Sequence, residues 1–438
     1  MYMCTCVQTY RRKEEFAMKN AFRNTVFHGT LRGLPTKKKV ISLLILTAMV
    51  AVLFATPTVS FASSNLRNGS SQSQIYHRSL TQTVPLTAIR MLDPSKGWAL
   101  TAHNILFTSN GGQNWKDVTP SGSLYSQYAV GDFMNDKYAW IASTAQMFEN
   151  SDVNVLHTSD GGQHWQSSKI SLSNVSVLDY PHFLTTAQGF LELGQSGKDG
   201  EIGRLFHTKD DGQNWSEISG TIKSSCTVPD VVNANRVSSK TVPCTLPYTN
   251  PGSGISFKDV SNGWATGEAS STPLLYVTHN GGQIWNKQLL QVPQDSKPST
   301  DPFPTMYTTT PPVFFGNNGF LPVQTMDGAG HAEGNYHLLI YKSTNGGATW
   351  ASPTLLPSYG EKDLYIESAH NAWVTDESGN VYGIDASGNW SELASKVDAT
   401  IKALSFVDAS YGWAIGDSKL WHTTDGGRTW QQITYSIQ

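Results

Sequence analysis

The 438-residue sequence predicts an all-β protein assembled from seven copies of one unit, each holding about four short strands. Three observations lead there. First, only 15% of residues are charged, while there are 13 Trp and 38 Gly; soluble domains usually carry closer to a quarter charged residues. Low charge with many aromatics and glycines excludes a disordered chain or a coiled coil and suits strands joined by tight turns. Second, a Thr-x-Asp/Asn-Gly-Gly-x-x-Trp turn recurs along the chain, and self-similarity of this kind marks repeat architectures. Third, 12 of the 13 Trp fall into two phases of that repeat, which leaves Trp421 alone outside them.

The amino terminus reads as an address. Lys37, Lys38 and Lys39 precede an uncharged apolar run over 40–55, and the small-x-small triplet Ser60-Phe61-Ala62 follows. Basic, apolar, then small residues is the order of a secretory signal peptide, with cleavage expected after Ala62. The run is shorter than the roughly 20 residues that span a bilayer comfortably, and an uncleaved anchor is the alternative. Residues 63–84, rich in Ser, Asn and Gln, read as a flexible lead, and residues 85–438 hold the repeats. Of 31 Lys/Arg and 34 Asp/Glu, nine and two fall within 1–62, so the exported part carries 22 against 32, a net charge of −10. An acidic chain lacks the basic face that phosphate neutralisation needs, so nucleic acid is not an expected partner.

The turns read TSNGGQNW at 108–115, TSDGGQHW at 158–165, TKDDGQNW at 208–215, THNGGQIW at 278–285, STNGGATW at 343–350 and TTDGGRTW at 423–430, with a degenerate IDASGNW ending at Trp390. Asn110, Asp160, Asp210, Asn280, Asn345 and Asp425 are expected to accept N–H groups of their own turns. Glycine supplies the positive φ that such turns need. Trp115, Trp165, Trp215, Trp285, Trp350 and Trp430 open the next strand and cover the turn. A second aromatic follows a small residue in each copy: Trp98, Trp140, Phe190, Trp264, Phe320, Trp373 and Trp413. Alternating segments around it, such as LTAIRML before Gly97 and NILFTS before the turn, read as strands.

This turn resembles the Asp-box, or bacterial neuraminidase repeat. The longer run GWAIGDSKLWHTTDGGRTWQQI at 412–433 resembles repeats of the photosystem II assembly and stability factor family; sortilin-type domains and several glycosidases share the box. The resemblance covers 85–438 and implies a seven-bladed β-propeller of four-stranded antiparallel blades. It implies little about activity, because one fold hosts many functions. The assembly-factor family binds its partner through clustered arginines, whereas arginine is scarce and scattered here; the fold and a non-catalytic, partner-binding habit carry over.

In a propeller blade the box joins the third and fourth strands, and the leading aromatic follows the turn between first and second. Both lie at one end. From leading aromatic to box Trp the seven copies span 17, 25, 25, 21, 30, 17 and 17 residues, and the longest stretch from box Trp to the next leading aromatic is 49, after copy 3. The extra length therefore falls at the end opposite the boxes, around copies 3 to 5. Insertions gathered on one face commonly mark a binding face. The candidate binding loops are 194–204, the segment between Cys226 and Cys244, 293–312 and 325–337. They offer Asp199, Glu201, Arg204, Arg236, Tyr307, Asp327, His331, Glu333, Tyr336 and His337. Cys226 and Cys244 are the two cysteines of the exported part and are expected to form a disulfide.

No catalytic, metal or cofactor site is expected. Walker, HExxH, GxSxG and CxxC motifs are absent from the sequence. His157, His207 and His422 precede box residues in repeat phase, hence in strands, and His331 with His337, Asp327 and Glu333 follows no known ligand spacing. Sialidases with this box clamp a carboxylate with three arginines; among the six after residue 62, only Arg90, Arg204 and Arg236 lie outside the lead and the box turns. A secreted glycoside hydrolase, sialidase-like or glucan-cleaving, is the enzyme alternative, since the latter needs only a facing carboxylate pair. The expectation is an exported, monomeric binding or scaffold protein for a protein or glycan partner of the cell envelope or extracellular space, touching a membrane only through an uncleaved amino-terminal segment.

Overall fold

The computed structural model describes residues 3–4 and 84–438, apart from 123–124, 150, 198–199, 219–220, 223–224, 234–235, 244–253, 271, 293–304, 328–334, 357–360 and 385–388. The apolar run, the cleavage triplet and the lead through residue 83 lie outside the described residues. The described chain is all strand and turn, with no helix. Met3–Cys4 pairs antiparallel with Glu361–Ile366.

Each sequence repeat folds into an antiparallel meander. In repeat 1 the strands are Ala88–Met91, Gly97–Leu100, Ile105–Thr108 and Asn114–Asp117. Repeat 2 uses Tyr128–Phe133, Ala139–Thr144, Val153–Thr158 and Gln166–Ile170. Repeat 7 ends the series with Ala403–Phe406, Gly412–Ile415, Leu420–Thr423 and Gln431–Ile433. The second strand is buried along its length in repeats 1, 2, 6 and 7. Such a strand has a neighbouring sheet on each face, so its sequence is continuously apolar or small rather than alternating.

In repeats 3 and 5 the inserted segments extend the ladders. In repeat 3, Gly189–Gly197 pairs with Gly200–Thr208 down to Gly197 opposite Gly200. In repeat 5, Asn318–Asp327 pairs with Asn335–Ser343 down to Asp327 opposite Asn335. The expected loops at 194–204 and 325–337 are therefore largely hairpin. Continuing the ladder gives every added residue a partner for its backbone N–H and C=O. Ser225–Asn233 and Arg236–Pro243 make a separate two-stranded hairpin inside the longest insertion. Met306–Thr309 pairs with both Gly263–Ser270 and Asn318–Asp327, so repeats 4 and 5 share one sheet.

Successive repeats meet through stacked rings. Trp140 stacks on Phe183 (centroids 3.7 Å apart, planes at 9°), Phe190 on Phe257 (3.7 Å, 3°) and Trp373 on Phe406 (3.6 Å, 1°), while Trp264 lies tilted against Phe314 (4.4 Å, 30°). The box Trp of the second repeat meets the same ring edge-on: Trp215 on Phe183, Trp285 on Phe257, Trp430 on Phe406. Each such ring sits about 1.5–3 kcal/mol lower buried than exposed, with about 0.5–1.5 more from the pairing. The residue before the leading aromatic is small because the ring lies against its backbone. A Cβ on Gly412 would come within 2.3 Å of Phe406.

In repeats 2, 6 and 7 the indole N–H of the leading Trp reaches the next box. Trp140 Nε1 donates to Asp211 O at 2.7 Å, Trp373 Nε1 to Gly426 O at 2.9 Å and Trp413 Nε1 to Gly111 O at 3.0 Å. The last of these runs from repeat 7 to repeat 1. At the same joint Ser436–Ile437 adds a parallel strand to Asn114–Asp117, and the Tyr435 hydroxyl donates to Val84 O at 2.6 Å. Thr221–Ile222 adds to Ile284–Lys287 in the same parallel manner.

Candidate functional site

The strand registers separate two ends of each sheet. At one end stand the box turns and the connections from first to second strand; at the other stand the connections from second to third strand and from one repeat to the next. Thr208 lies opposite Gly189 at the box end of repeat 3, and the pair Gly197 opposite Gly200 lies eight residues away. At about 3.4 Å per residue that pair stands roughly 27 Å from the box.

At the box end the Thr or Ser and the Asp or Asn of each turn bond to one another and to the turn's own backbone. Thr423 Oγ1 donates to Asp425 Oδ1 at 2.8 Å and accepts from Gly427 N at 3.0 Å, while Asp425 Oδ1 accepts from Thr429 N at 2.9 Å. The same three bonds recur around Asn110, Asp160, Asp210, Asn280 and Asn345. The His164 N–H and the other donors around Asp160 hold its carboxyl down at about 2. These Asp and Asn side chains cap their own turns. Trp115 and Trp285 are wholly buried, and Trp165, Trp215, Trp350 and Trp430 are partly so. Two glycines at positive φ finish each turn, and the second abuts the preceding repeat. A Cβ on Gly347 (φ 84°) would lie 2.4 Å from Trp264 Cζ2. In repeat 3 Asp211 takes the first glycine's place at φ 63°.

The sequence-predicted binding residues divide. Glu201 and Arg204 lie on the repeat 3 hairpin, paired with Ser196 and Leu193. Asp327, Tyr336 and His337 lie on the repeat 5 hairpin, paired with Asn335, Met326 and Thr325. Arg236 opens the second strand of the separate hairpin, opposite Asn233. Asp199, His331 and Glu333 lie outside the described residues, as does Cys244; Cys226 stands opposite Val242. Arg204 is half-buried and committed. Its Nε and Nη2 donate to Glu217 Oε1 and Oε2 at 2.5 and 2.7 Å, and its Nη1 donates to Gln195 Oε1 at 2.9 Å. That bidentate pair ties two strands of one sheet and holds the guanidinium pKa above its ordinary value. Tyr307 is a correction: read as a loop residue open to a partner, it is 0% exposed on Met306–Thr309, among Leu321, Leu339 and Tyr341. Its place in the strand alternation, masked in sequence by the flanking Thr and Pro residues, turns it into the core.

A set of inner-strand polar residues was not anticipated. Each accepts a backbone N–H from the first strand of the next repeat. Asp132 Oδ2 accepts from Phe183 N (2.7 Å), Asp179 Oδ2 from Ile255 N (3.4 Å), Asp363 Oδ2 from Leu404 N (2.6 Å), and Ser405 Oγ from Met91 N (2.8 Å). His182 joins repeats 3 and 4 through Phe257, its Nε2 lying 2.7 Å from Phe257 O. The Arg90 guanidinium donates to the Tyr365 hydroxyl and lies over that ring. Asp132 and Asp179 keep some accessible surface, yet protein surrounds them. Burial pushes Asp132 up to about 6, against the Phe183 N–H and the nearby Arg90 charge, and pushes Asp179 up to about 7. Burial likewise drives His182 down to about 4. Perturbed carboxyls of this kind can hold or release a proton near neutrality. Among the described residues no three His, Cys, Asp or Glu side chains group closely enough to hold a metal. The signal that could have found part of this set is positional: Arg90, Asp132, His182, Tyr365 and Ser405 each stand eight residues before a leading aromatic.

No protein-family model and no curated protein matches the chain. Among solved structures it is similar to YCF48 bound to D1 peptide, at 16% identity and TM-score 0.49 over 78% of this chain and 94% of that one. It is also similar to YCF48 from Cyanidioschyzon merolae, at 18% identity and TM-score 0.47 over 80% and 98%. A polysaccharide lyase, the PL25 ulvan lyase, follows at 8% identity and TM-score 0.41 over 70% and 81%. At these identities the likeness concerns the fold alone.

Proposed function

We propose that this chain is an exported, non-catalytic β-propeller, a closed ring of seven blades, that binds a protein or glycan partner through the end bearing the extended hairpins of repeats 3 to 5. The observation that carries the reading is the asymmetry between the two ends. The Thr or Ser and the Asp or Asn of the boxes bond inside their own turns, whereas the added length of repeats 3 and 5 extends hairpins at the opposite end. The contacts from repeat 7 to repeat 1, including Trp413 to Gly111, repeat those between interior neighbours, which supports closure of the ring. Aromatic and polar side chains on rigid hairpins suit recognition dominated by a few anchors.

The test uses the exported chain, wild type and with residues 328–334 replaced by a short Gly-Ser turn, against an array of envelope glycans and purified envelope proteins. Binding by the wild type that the replacement abolishes supports the reading; binding unchanged by it overturns the assignment to this end. Export, cleavage after Ala62 and a Cys226–Cys244 bridge belong to the same proposal. Intact mass of the exported protein, before and after thiol alkylation, reads all three.

The second reading, a secreted glycoside hydrolase, draws on Asp132 and Asp179, whose raised pKa values are of the kind a general acid needs. Turnover of a chromogenic glycoside panel, lost in Asp179→Asn, would establish it. Against it stands the use of both carboxylates as acceptors between repeats.

A further inference from the structure

The connection between the second and third strands of repeat 2, residues 145–152, lies at the hairpin end, beyond Thr144 and Val153. It turns an aromatic ring outward. Phe148 is 49% exposed. Its φ is 64°, a left-handed conformation that a bulky side chain rarely adopts and that persists only where neighbours impose it.

Those neighbours belong to repeat 3. Phe148 N donates to Val175 O at 2.8 Å, and Asn174 N donates to Glu149 O at 3.0 Å. Asn174, itself at φ 56°, accepts from Ser196 N at 2.9 Å, and Gln195 Nε2 donates to Ser173 O at 3.0 Å. Met147 packs against the apolar core shared by repeats 2 and 3. The ring is thus presented by backbone fixed on two sheets, so little conformational freedom remains to be lost when a partner lands on it.

The segment that bears the ring carries acidic groups, and Arg204, on the adjoining hairpin, is held by Glu217 and Gln195. Glu149 is exposed beside it, and neither 145–152 nor 171–178 contains a Lys or Arg. Lys169, on the last strand of repeat 2, is paired with Asp152. The exported part carries a net charge of −10, which favours encounter with basic partners. An aromatic face beside a carboxylate suits a guanidinium or ammonium group, attracted by the ring within about 6 Å of its centre.

We propose that Phe148 and Glu149 form a docking point for a basic protein segment, which sets an arginine or lysine side chain over the Phe148 ring with its charge beside the Glu149 carboxylate. This rests on recognition at the hairpin end, extends that surface to repeat 2 and selects protein rather than glycan as the partner met there.

Fluorescence anisotropy at low ionic strength, with labelled tetra-arginine, tetra-lysine and tetra-glutamine peptides as probes, tests it on the exported chain. Wild type is expected to bind tetra-arginine at least about tenfold more tightly than tetra-glutamine. Phe148→Ala and Phe148→Leu should each weaken tetra-arginine binding about threefold to fivefold, the size of an exposed cation–ring contact. Glu149→Gln should weaken it by a similar factor, and replacement of 328–334 should leave it unchanged. Equal binding of tetra-glutamine, or unchanged tetra-arginine affinity in Phe148→Ala, overturns the proposal. So does retention of full affinity in Phe148→Leu, which would make the ring a merely apolar patch. Thermal melts of each variant show that the fold persists. If Phe148→Ala binds normally while replacement of 328–334 abolishes partner capture, the docking point fails and the hairpin-end reading survives.

Discussion

The two ends of the sheets obey different rules. At the box end, six turns use one set of three hydrogen bonds, two left-handed residues and a Trp that packs across a seam. Variation among the bonding residues there is confined to Asp against Asn, to Ser343 in place of Thr and to Asp211 in place of a glycine. At the hairpin end the connections differ widely, with spans from leading aromatic to box Trp running from 17 to 30 residues, and an unexpected Phe at positive φ is held between two repeats. The contrast teaches that in this molecule repetition marks interfaces between repeats, and irregularity marks surface free to diverge. Stability should therefore depend on the box end and recognition on the hairpin end. Substitutions that mix the two effects would break that division.

The largest effect is expected at a seam. Phe406 is wholly buried, stacked on Trp373 and met edge-on by Trp430. Phe406→Ala should destabilise the fold by about 3–5 kcal/mol in chemical denaturation, through lost burial and the cavity left behind. A loss below about 1 kcal/mol would mean that the stack relaxes and does not hold repeats 6 and 7 together.

Gly347→Ala should come next. The φ of 84° disfavours any side chain, and the new Cβ would press on Trp264 Cζ2 and Phe314. About 1–3 kcal/mol is expected from overpacking, with more from backbone strain, and partner binding at the opposite end should stay intact. A third effect is smaller. Asp425→Ala removes the acceptor of the Thr429 and Arg428 N–H groups and of the Thr423 hydroxyl. It should cost about 1 kcal/mol, as cap removals do, and Asp425→Asn should recover most of it, since Asn serves in three other boxes.

What the sequence made legible follows the same division. Two aromatic phases and the acid–glycine corner were visible because they recur, and repetition against a changing background can be read without coordinates. A third phase was equally regular yet went unread. The ring of Phe133, Phe183, Phe257 and Phe406, seven residues before a leading aromatic, alternates with Met91 and Ile366, so its chemistry varies while its place does not. The inner carboxylates Asp132, Asp179 and Asp363 were hidden for a different reason. Their partners are backbone N–H groups 41 to 76 residues away, and backbone leaves no mark in composition. Counting residues puts the insertions at the end opposite the boxes but does not say what structure they take. Gly-rich polar stretches such as GQSGKDGEIGR read as loop, whereas the ladder continues through them because each strand already has a partner to follow. Tyr307 was displaced for that reason, and Phe148 was invisible because nothing about a single Phe in a connection announces a left-handed backbone.

The smallest effect concerns pH and sharpens the comparison most finely. His157 is buried at the box side of repeat 2, its ring parallel to Trp140 with centroids 5.0 Å apart. Burial lowers its pKa, although Asp211 pulls weakly the other way, and burial lowers those of His207 and His422 in the same phase. In the unfolded chain each would titrate near the ordinary value of about 6.5. Below that pH the unfolded state takes up protons that the folded state resists, so stability falls as pH drops. Asp132 and Asp179 act in the opposite sense. Their folded pKa values are raised, so their charged forms destabilise the fold at neutral pH, and protonation relieves this as pH falls from about 7 toward 4. The whole-protein profile mixes both signs, and only differences between variants separate them. From about pH 7.5 to about pH 5, His157→Phe should lose less thermal stability than wild type, because the phenyl ring keeps the stack and takes up no proton. Asp179→Asn should lose more, because it forgoes the relief that protonation brings the wild type. Parallel profiles for wild type and His157→Phe would place the histidine phase outside the buried seam, and the box end would then lose its claim to be uniformly interior.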